Sequence, residues 1–209
     1  MSFQWIIDNA TDLSIERKRI VSSTTSRGGI TRTITRGSQI YKFDVTLPDG
    51  LKWSTIRPLI SQAEKLDKVT PTTIKINHPG HSYIVGYQGN ASAPQTFKAK
   101  WFKNTNFINI TQGGGSLTSG YAFRAGDFVQ LGPNGHVYNV TEDVPYNTYT
   151  VRLHREIMEE SNNLGTAETI IVGSECEFKV KCINFPSWTI YSYDQVAWSG
   201  SFTFVEEYE

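Results

Sequence analysis

Cysteine is nearly absent: the 209 residues contain two, Cys176 and Cys182. They share a strand-like stretch with Phe178 and Val180 between them. A strand rises about 3.3 Å per residue, which sets their Cα atoms about 20 Å apart, against the roughly 4.4–6.8 Å that a disulfide needs. A disulfide framework is excluded, and two buried free thiols are expected, as in a chain made in a reducing cytoplasm. Net charge is absent too, since 20 Lys and Arg balance 20 Asp and Glu. No overall electrostatic attraction to nucleic acid or to an acidic membrane follows. No apolar run approaches the roughly 20 residues that span a bilayer. The opening Met1-Ser2-Phe3-Gln4-Trp5 has neither a basic region nor a long apolar one, so no secretory signal is expected. The sequons at Asn90, Asn109 and Asn139 then read as chance matches.

Catalytic signatures are missing as well. There is no Gly-Lys-Ser/Thr phosphate loop, and Gly113-Gly114-Gly115 is followed by no helical pattern. No Gly-x-Ser-x-Gly elbow occurs. Of the four histidines, His78 and His81 flank Pro79-Gly80 in a turn, with no further metal ligands to place beside them. His136 and His154 have no acid at a fixed spacing. Glu159 and Glu160 fall in a polar stretch, 156–165, expected to be a solvated linker. The sequence therefore offers no catalytic, cofactor-binding or metal-binding residues, and a non-enzymatic protein is expected.

What is present is centred on residues 38–76. Tyr41, Phe43, Val45 and Leu47 alternate with Lys42, Asp44 and Thr46, a strand over 39–47 with one face in a core. Pro48-Asp49-Gly50 turns the chain. Ile56, Leu59, Ile60, Ala63 and Leu66 then form one helical stripe, with Arg57, Ser61, Glu64 and Lys68 opposite and Ser54 or Thr55 as the expected cap. Glu64 and Lys68 have the favourable i,i+4 order. Pro58 belongs in the first turn or so, and Pro71 forbids the helix to continue beyond Thr70. This is the one strong helical segment, so the expected fold is mainly β with a single helix laid across it.

The remaining segments read as strands and loops. Phe3, Trp5 and Ile7 alternate as a short strand. Segments 13–23 and 30–36 flank a turn at Ser26-Arg27-Gly28-Gly29, a long hairpin carrying Arg17, Lys18, Arg19, Arg27, Arg32 and Arg36 against Glu16 alone. Its hydroxyl run, 22–26, has little to bury, so the arm should project. A solvated arm, a nucleic-acid contact and a protein–protein contact are all compatible with it. In the last reading, the arm of one copy meets the acidic end of another, Glu206 and Glu207, a head-to-tail contact that closes into rings or runs into filaments. Residues 72–76 and 83–85 suggest a second hairpin. Residues 112–120 are too poor in apolar groups for a strand. Strands at 126–131, 136–140 and 149–153 suggest a small meander or half of a small barrel. The C-terminal strand, 200–208, is expected beside 39–47. That makes 94–157 a small β domain inserted between 1–93 and 158–209. Trp188, Tyr191, Tyr193 and Trp198 form an aromatic-rich stretch that serves either packing or contact.

The hairpin arm, then Ile40-Tyr41-Lys42-Phe43-Asp44-Val45-Thr46-Leu47-Pro48, the helix from Thr55 and the closing Phe202-Thr203-Phe204-Val205-Glu206-Glu207 together resemble bacteriophage tail-tube and baseplate proteins. Gly126-Asp127-Phe128-Val129-Gln130-Leu131-Gly132 and His136-Val137-Tyr138-Asn139-Val140-Thr141 are similar to small β modules of phage tails. The resemblance implies an antiparallel β-barrel or sandwich with one flanking helix. It implies six copies in a ring, a hairpin reaching the adjacent ring, and DNA passing through the lumen without sequence readout. Partners would be the chain itself and the tail-tube, baseplate-hub and sheath proteins of the virion, the chain being synthesised in the host cytoplasm. The inserted domain suits a tube initiator or distal-tail-like ring. The alternative is a non-enzymatic β-sandwich module that recognises a glycan or host surface through Trp188 and Trp198.

Overall fold

The computed structural model describes residues 3–18, 21–35, 39–65, 70–115, 117–162 and 167–207. The protein is mainly β, and of the two α-helices among the described residues only the second is substantial. In chain order the first elements are α1 (Gln4–Asp8), β1 (Asp12–Lys18), β2 (Val21–Thr25), β3 (Thr31–Thr35), β4 (Ile40–Thr46), β5 (Leu51–Lys52), α2 (Trp53–Glu64) and β6 (Thr72–Lys75). Next come β7 (Ala93–Trp101), β8 (Phe107–Gly114), β9 (Tyr121–Phe123), β10 (Phe128–Leu131), β11 (Val137–Asn139), β12 (Val144–Pro145), β13 (Thr150–Arg152) and β14 (Glu168–Val172). The chain ends with β15 (Glu177–Asn184), β16 (Trp188–Tyr191), β17 (Gln195–Trp198) and β18 (Phe202–Glu206). It divides into two compact units, one of residues 1–74 with 179–209 and the other of 75–178. The second unit thus begins before residue 94 and runs beyond 157.

In the first unit the strand order is β1-β4-β18-β15-β6. Alternation along β4 does what period two requires: Tyr41, Phe43 and Val45 are fully buried while Lys42 and Asp44 face outward. The C-terminal strand lies antiparallel beside it, with Phe204 opposite Phe43 and Phe202 opposite Val45, so aromatic side chains face the core from both strands. On the outer face Asp44 accepts from the Thr203 hydroxyl at 2.7 Å and pairs with Lys42 at 2.5 Å. The N-terminus is a helix rather than a strand. Phe3, Ile6 and Ile7 are buried, and their i, i+3, i+4 spacing outweighs the alternation of Phe3, Trp5 and Ile7. Phe3 packs against Phe204 at 5.2 Å between ring centroids.

Helix α2 buries Ile56, Ile60 and Ala63, of which the two isoleucines gather with Val196 under Trp5, Trp53, Trp188 and Trp198. Pro58 falls just past the first turn and leaves the Ser54 carbonyl without a helical donor. Neither Ser54 nor Thr55 caps the helix with its side chain. Asp194 does, accepting from the Ser54 amide at 2.8 Å and the Ser54 hydroxyl at 2.6 Å. Leu66 and Lys68 lie outside the described residues.

The second unit curls a six-stranded sheet, ordered β11-β10-β14-β7-β8-β13. Its two edges meet through a bridge between Val140 and Leu153, with Thr141 N–H donating to Arg152 and His154 N–H to Asn139, each at 3.0 Å. Inside lie Phe97, Trp101, Ile108, Phe123, Val129, Tyr138, Val151 and Ile170. The meander of the sequence reading is thus part of a larger sheet, in which β13 pairs with β8.

Three expectations in this unit need correction. Residues 82–84 form a 3₁₀ turn, so 72–76 has no hairpin partner there. The glycine-rich run does join a strand, since β8 continues through Gly113 and Gly114. What qualifies those residues is the absence of a side chain: a Cβ on Gly113 would lie 2.0 Å from the Thr96 carbonyl oxygen, and one on Gly114 2.5 Å from the Phe97 ring. Finally, 156–162 is a packed strap. Ile157 is fully buried, the Trp101 indole donates to the Glu160 carbonyl at 3.0 Å, and the Asn162 carboxamide bonds both Ala99 and Trp101. Both cysteines are free and buried, with Cys176 just ahead of β15 and Cys182 within it.

Candidate assembly surface

The long hairpin of the sequence reading divides in two. Residues 12–18 form β1, paired along its whole length with β4. Only β2 and β3 form the free-standing part, a two-stranded ribbon with its turn at 26–30. An isolated hairpin of this size is marginal in water, so it gains most by docking on something else. Cross-strand register fixes its faces. Thr24 lies opposite Arg32 and Ser22 opposite Ile34, and Ser26 joins Ile30 through two hydrogen bonds. One face therefore carries Ser22, Thr24, Ser26, Ile30, Arg32 and Ile34. The other carries Val21, Ser23, Thr25, Thr31 and Thr33. Ile30 is 66% exposed and Ile34 68%, which leaves an apolar strip around a guanidinium. Between Thr24, Ser26, Ile30 and Arg32 the ribbon is concave, with a volume of about 290 Å³.

The basic residues singled out in the sequence spread over these parts. Arg17 is exposed on β1 opposite Tyr41, and Lys18 ends that strand opposite Ile40. Arg27 is exposed at the ribbon tip and Arg32 on its concave face. Arg19 and Arg36 lie outside the described residues.

The acidic end is differently placed. Glu206 is 5% exposed, and its carboxylate accepts the Tyr41 amide at 3.0 Å. Glu207 pairs with Lys181 at 2.5 Å. Both carboxylates are engaged within their own chain. The period-two pattern could have signalled this for Glu206, which shares the face of Phe202 and Phe204.

Two features went unseen in the sequence. One is the β16–β17 turn, where Ser192, Tyr193 and Asp194 all have positive φ. Asp194 is locked onto α2, and the Ser54 hydroxyl and amide hold its carboxyl below the usual carboxylate range. Tyr193 stands wholly in solvent, beside exposed Ile190 and Tyr191.

The other lies in the second unit. Glu159 is partly buried and receives the His136 amide, His136 Nδ1 at 2.9 Å and the Tyr138 hydroxyl at 2.6 Å. Burial alone would raise the Glu159 pKa, but hydrogen bonds from His136 and Tyr138 prevail and lower it. The Tyr138 hydroxyl, itself desolvated and beside that carboxylate, is pushed far up. Arg155 lies 5.0 Å over the Tyr138 ring and donates to the Val137 carbonyl at 2.9 Å. The cluster fastens the strap to β11. Its members are 18–23 residues apart in sequence, a separation that carries no motif.

No group of His, Cys, Asp or Glu among the described residues has the geometry to hold a metal. No helix among them is long and apolar enough to cross a membrane. The fold thus defines a mainly-β protein of two units with a projecting ribbon. Compared with protein-family models and with curated proteins, the chain shows no match.

Proposed function

We propose that this chain is a non-enzymatic structural protein of a phage tail. It forms a ring at the junction of baseplate and tail tube and stacks on adjacent rings through the β2–β3 ribbon. The observation that carries the reading is the ribbon itself. It is two strands wide, exposed on both faces and basic at the tip, and it presents isoleucines to solvent. Such a ribbon gains order and buried apolar area only when another surface covers it. The copies form a homo-hexameric ring, and tail-tube, baseplate-hub and sheath proteins are its neighbours in the virion. DNA passes through the lumen without base contacts.

The acceptor for the ribbon is a surface other than Glu206 and Glu207, whose carboxylates are buried within their own chain. Sedimentation velocity tests the reading. Replacing 21–35 with a short Gly-Ser turn should abolish concentration-dependent self-association while leaving the melting temperature nearly unchanged. Undiminished association of the shortened chain would refute the ribbon's role.

The alternative is a module that recognises a glycan or host surface. It draws on the half-exposed stack of Trp53 and Trp188, whose rings lie 4.5 Å apart. Substituting Trp188 and Trp198 separates the two readings: lost glycan binding with intact assembly would favour the module.

A further inference from the structure

The β16–β17 turn is built at a conformational cost. Ser192, Tyr193 and Asp194 have φ of 38°, 21° and 71°, a region L-residues rarely occupy and glycine occupies freely. Strain of this kind persists where the surroundings enforce it, and here the anchors are visible. Trp53 N–H donates to the Asp194 carbonyl at 2.8 Å, the Asp194 carboxylate takes both Ser54 donors, and Gln195 N–H returns to the Ser192 carbonyl at 3.2 Å. Lys52 and Leu51 of β5 pair with Gln195 and Val196 just behind the turn. The product is a rigid mount for one side chain: Tyr193 is 101% exposed. A tyrosine loses little conformational entropy on docking and offers a large amphipathic ring, and for this reason the residue is enriched at binding hot spots.

The same unit carries a receptor of matching chemistry. The ribbon concavity, about 290 Å³, lies just under the roughly 300–1,000 Å³ range of small-molecule pockets, a size that suits one ring. Ile30 forms its apolar side, Arg32 supplies a guanidinium to lie against a π face, and Thr24 and Ser26 supply hydroxyls for a phenol.

We propose that Tyr193 of one copy seats in the concavity of Thr24, Ser26, Ile30 and Arg32 on a second copy. This rests on the assembly reading above and supplies the acceptor that Glu206 and Glu207 do not. Peg and socket are different surfaces of one chain, so the contact is heterologous and propagates or closes from copy to copy.

Disulfide trapping tests it, and the two native thiols, being buried, do not interfere. A full-length chain carrying both Tyr193→Cys and Ile30→Cys should give a ladder of disulfide-linked multimers on mild oxidation. Its yield should be about tenfold or more above that of a Tyr149→Cys, Ile30→Cys control. Equal yields, or a disulfide closed within one chain, would overturn the contact. Tyr193→Gly supplies an independent arm. It should weaken self-association at least about tenfold while the melting temperature of the monomer holds or rises, since glycine relieves the strain. Association of wild-type strength in Tyr193→Gly would overturn this contact alone. A wild-type chain that sediments as a monomer at every concentration would overturn the assembly reading with it.

Discussion

Glu159 shows how much one residue can organise. Three donors converge on its partly buried carboxylate. Glu159→Gln keeps the shape but turns an amide N–H₂ toward donors, at a cost of about 1–3 kcal/mol in denaturant titration at pH 7. The pH dependence has a definite sign. Because the folded pKa is depressed, the carboxylate's contribution is complete above its unfolded value of about 4.3. It is lost as pH falls through the folded value. The gap between wild type and Glu159→Gln should therefore begin to narrow as pH falls below about 4.3 and close in stronger acid, and a gap that stayed constant into strong acid would contradict the assignment. Gly113 makes the complementary point about a missing side chain. With φ of 105° and the Thr96 carbonyl 2.0 Å from the position of a Cβ, Gly113→Ala should cost about 2–3 kcal/mol, read as a fall in melting temperature. At this scale the sequence is least legible. The partners of Glu159 and Asp194 lie 21–23 and 140 residues away, and no local pattern announces them.

Elements were legible wherever one periodicity dominated. The strand around Phe43, its C-terminal neighbour and the amphipathic helix could all be read directly, because alternation and the 3.6-residue period leave few other ways to bury those side chains. Reading failed where two periods coexist. Phe3, Trp5 and Ile7 alternate, yet Phe3, Ile6 and Ile7 fit a helix, and packing on Phe204 decides between them. It failed again at 112–114, where composition argues against a strand but close backbone approach requires glycine. The β2–β3 ribbon was legible as a projecting hairpin, although β1 proved to belong to the main sheet. Its exposure makes an element-scale prediction. Limited trypsin treatment of dilute protein should cut first after Arg27 or Arg32, and conditions that drive assembly should protect both bonds. Equal cleavage in dilute and assembled samples would show that nothing covers the ribbon.

For the whole molecule, one chain contributes a sheet-based unit with a projecting ribbon and a second unit curled from six strands. The pairing of β18 with β4 followed from their matching aromatic faces, and the extent of the second unit did not. The expected boundaries at 94 and 157 tracked composition, whereas the strap at 156–162 and the paired β14 hold the chain in that unit to residue 178. The candidate surface was legible as a basic arm. Its apolar strip was not, because Ile30 and Ile34 gain meaning only when cross-strand register places them on Arg32's face. Neutral overall charge fits a protein whose attraction is local rather than global. The central claim is that copies of this chain join through the ribbon into rings. Negative-stain electron microscopy of the purified full chain at high concentration, beside the chain lacking 21–35, tests it most directly. The account predicts rings or short stacks of rings in the first sample and none in the second. Single particles of monomer size in both, or rings in both, would contradict it.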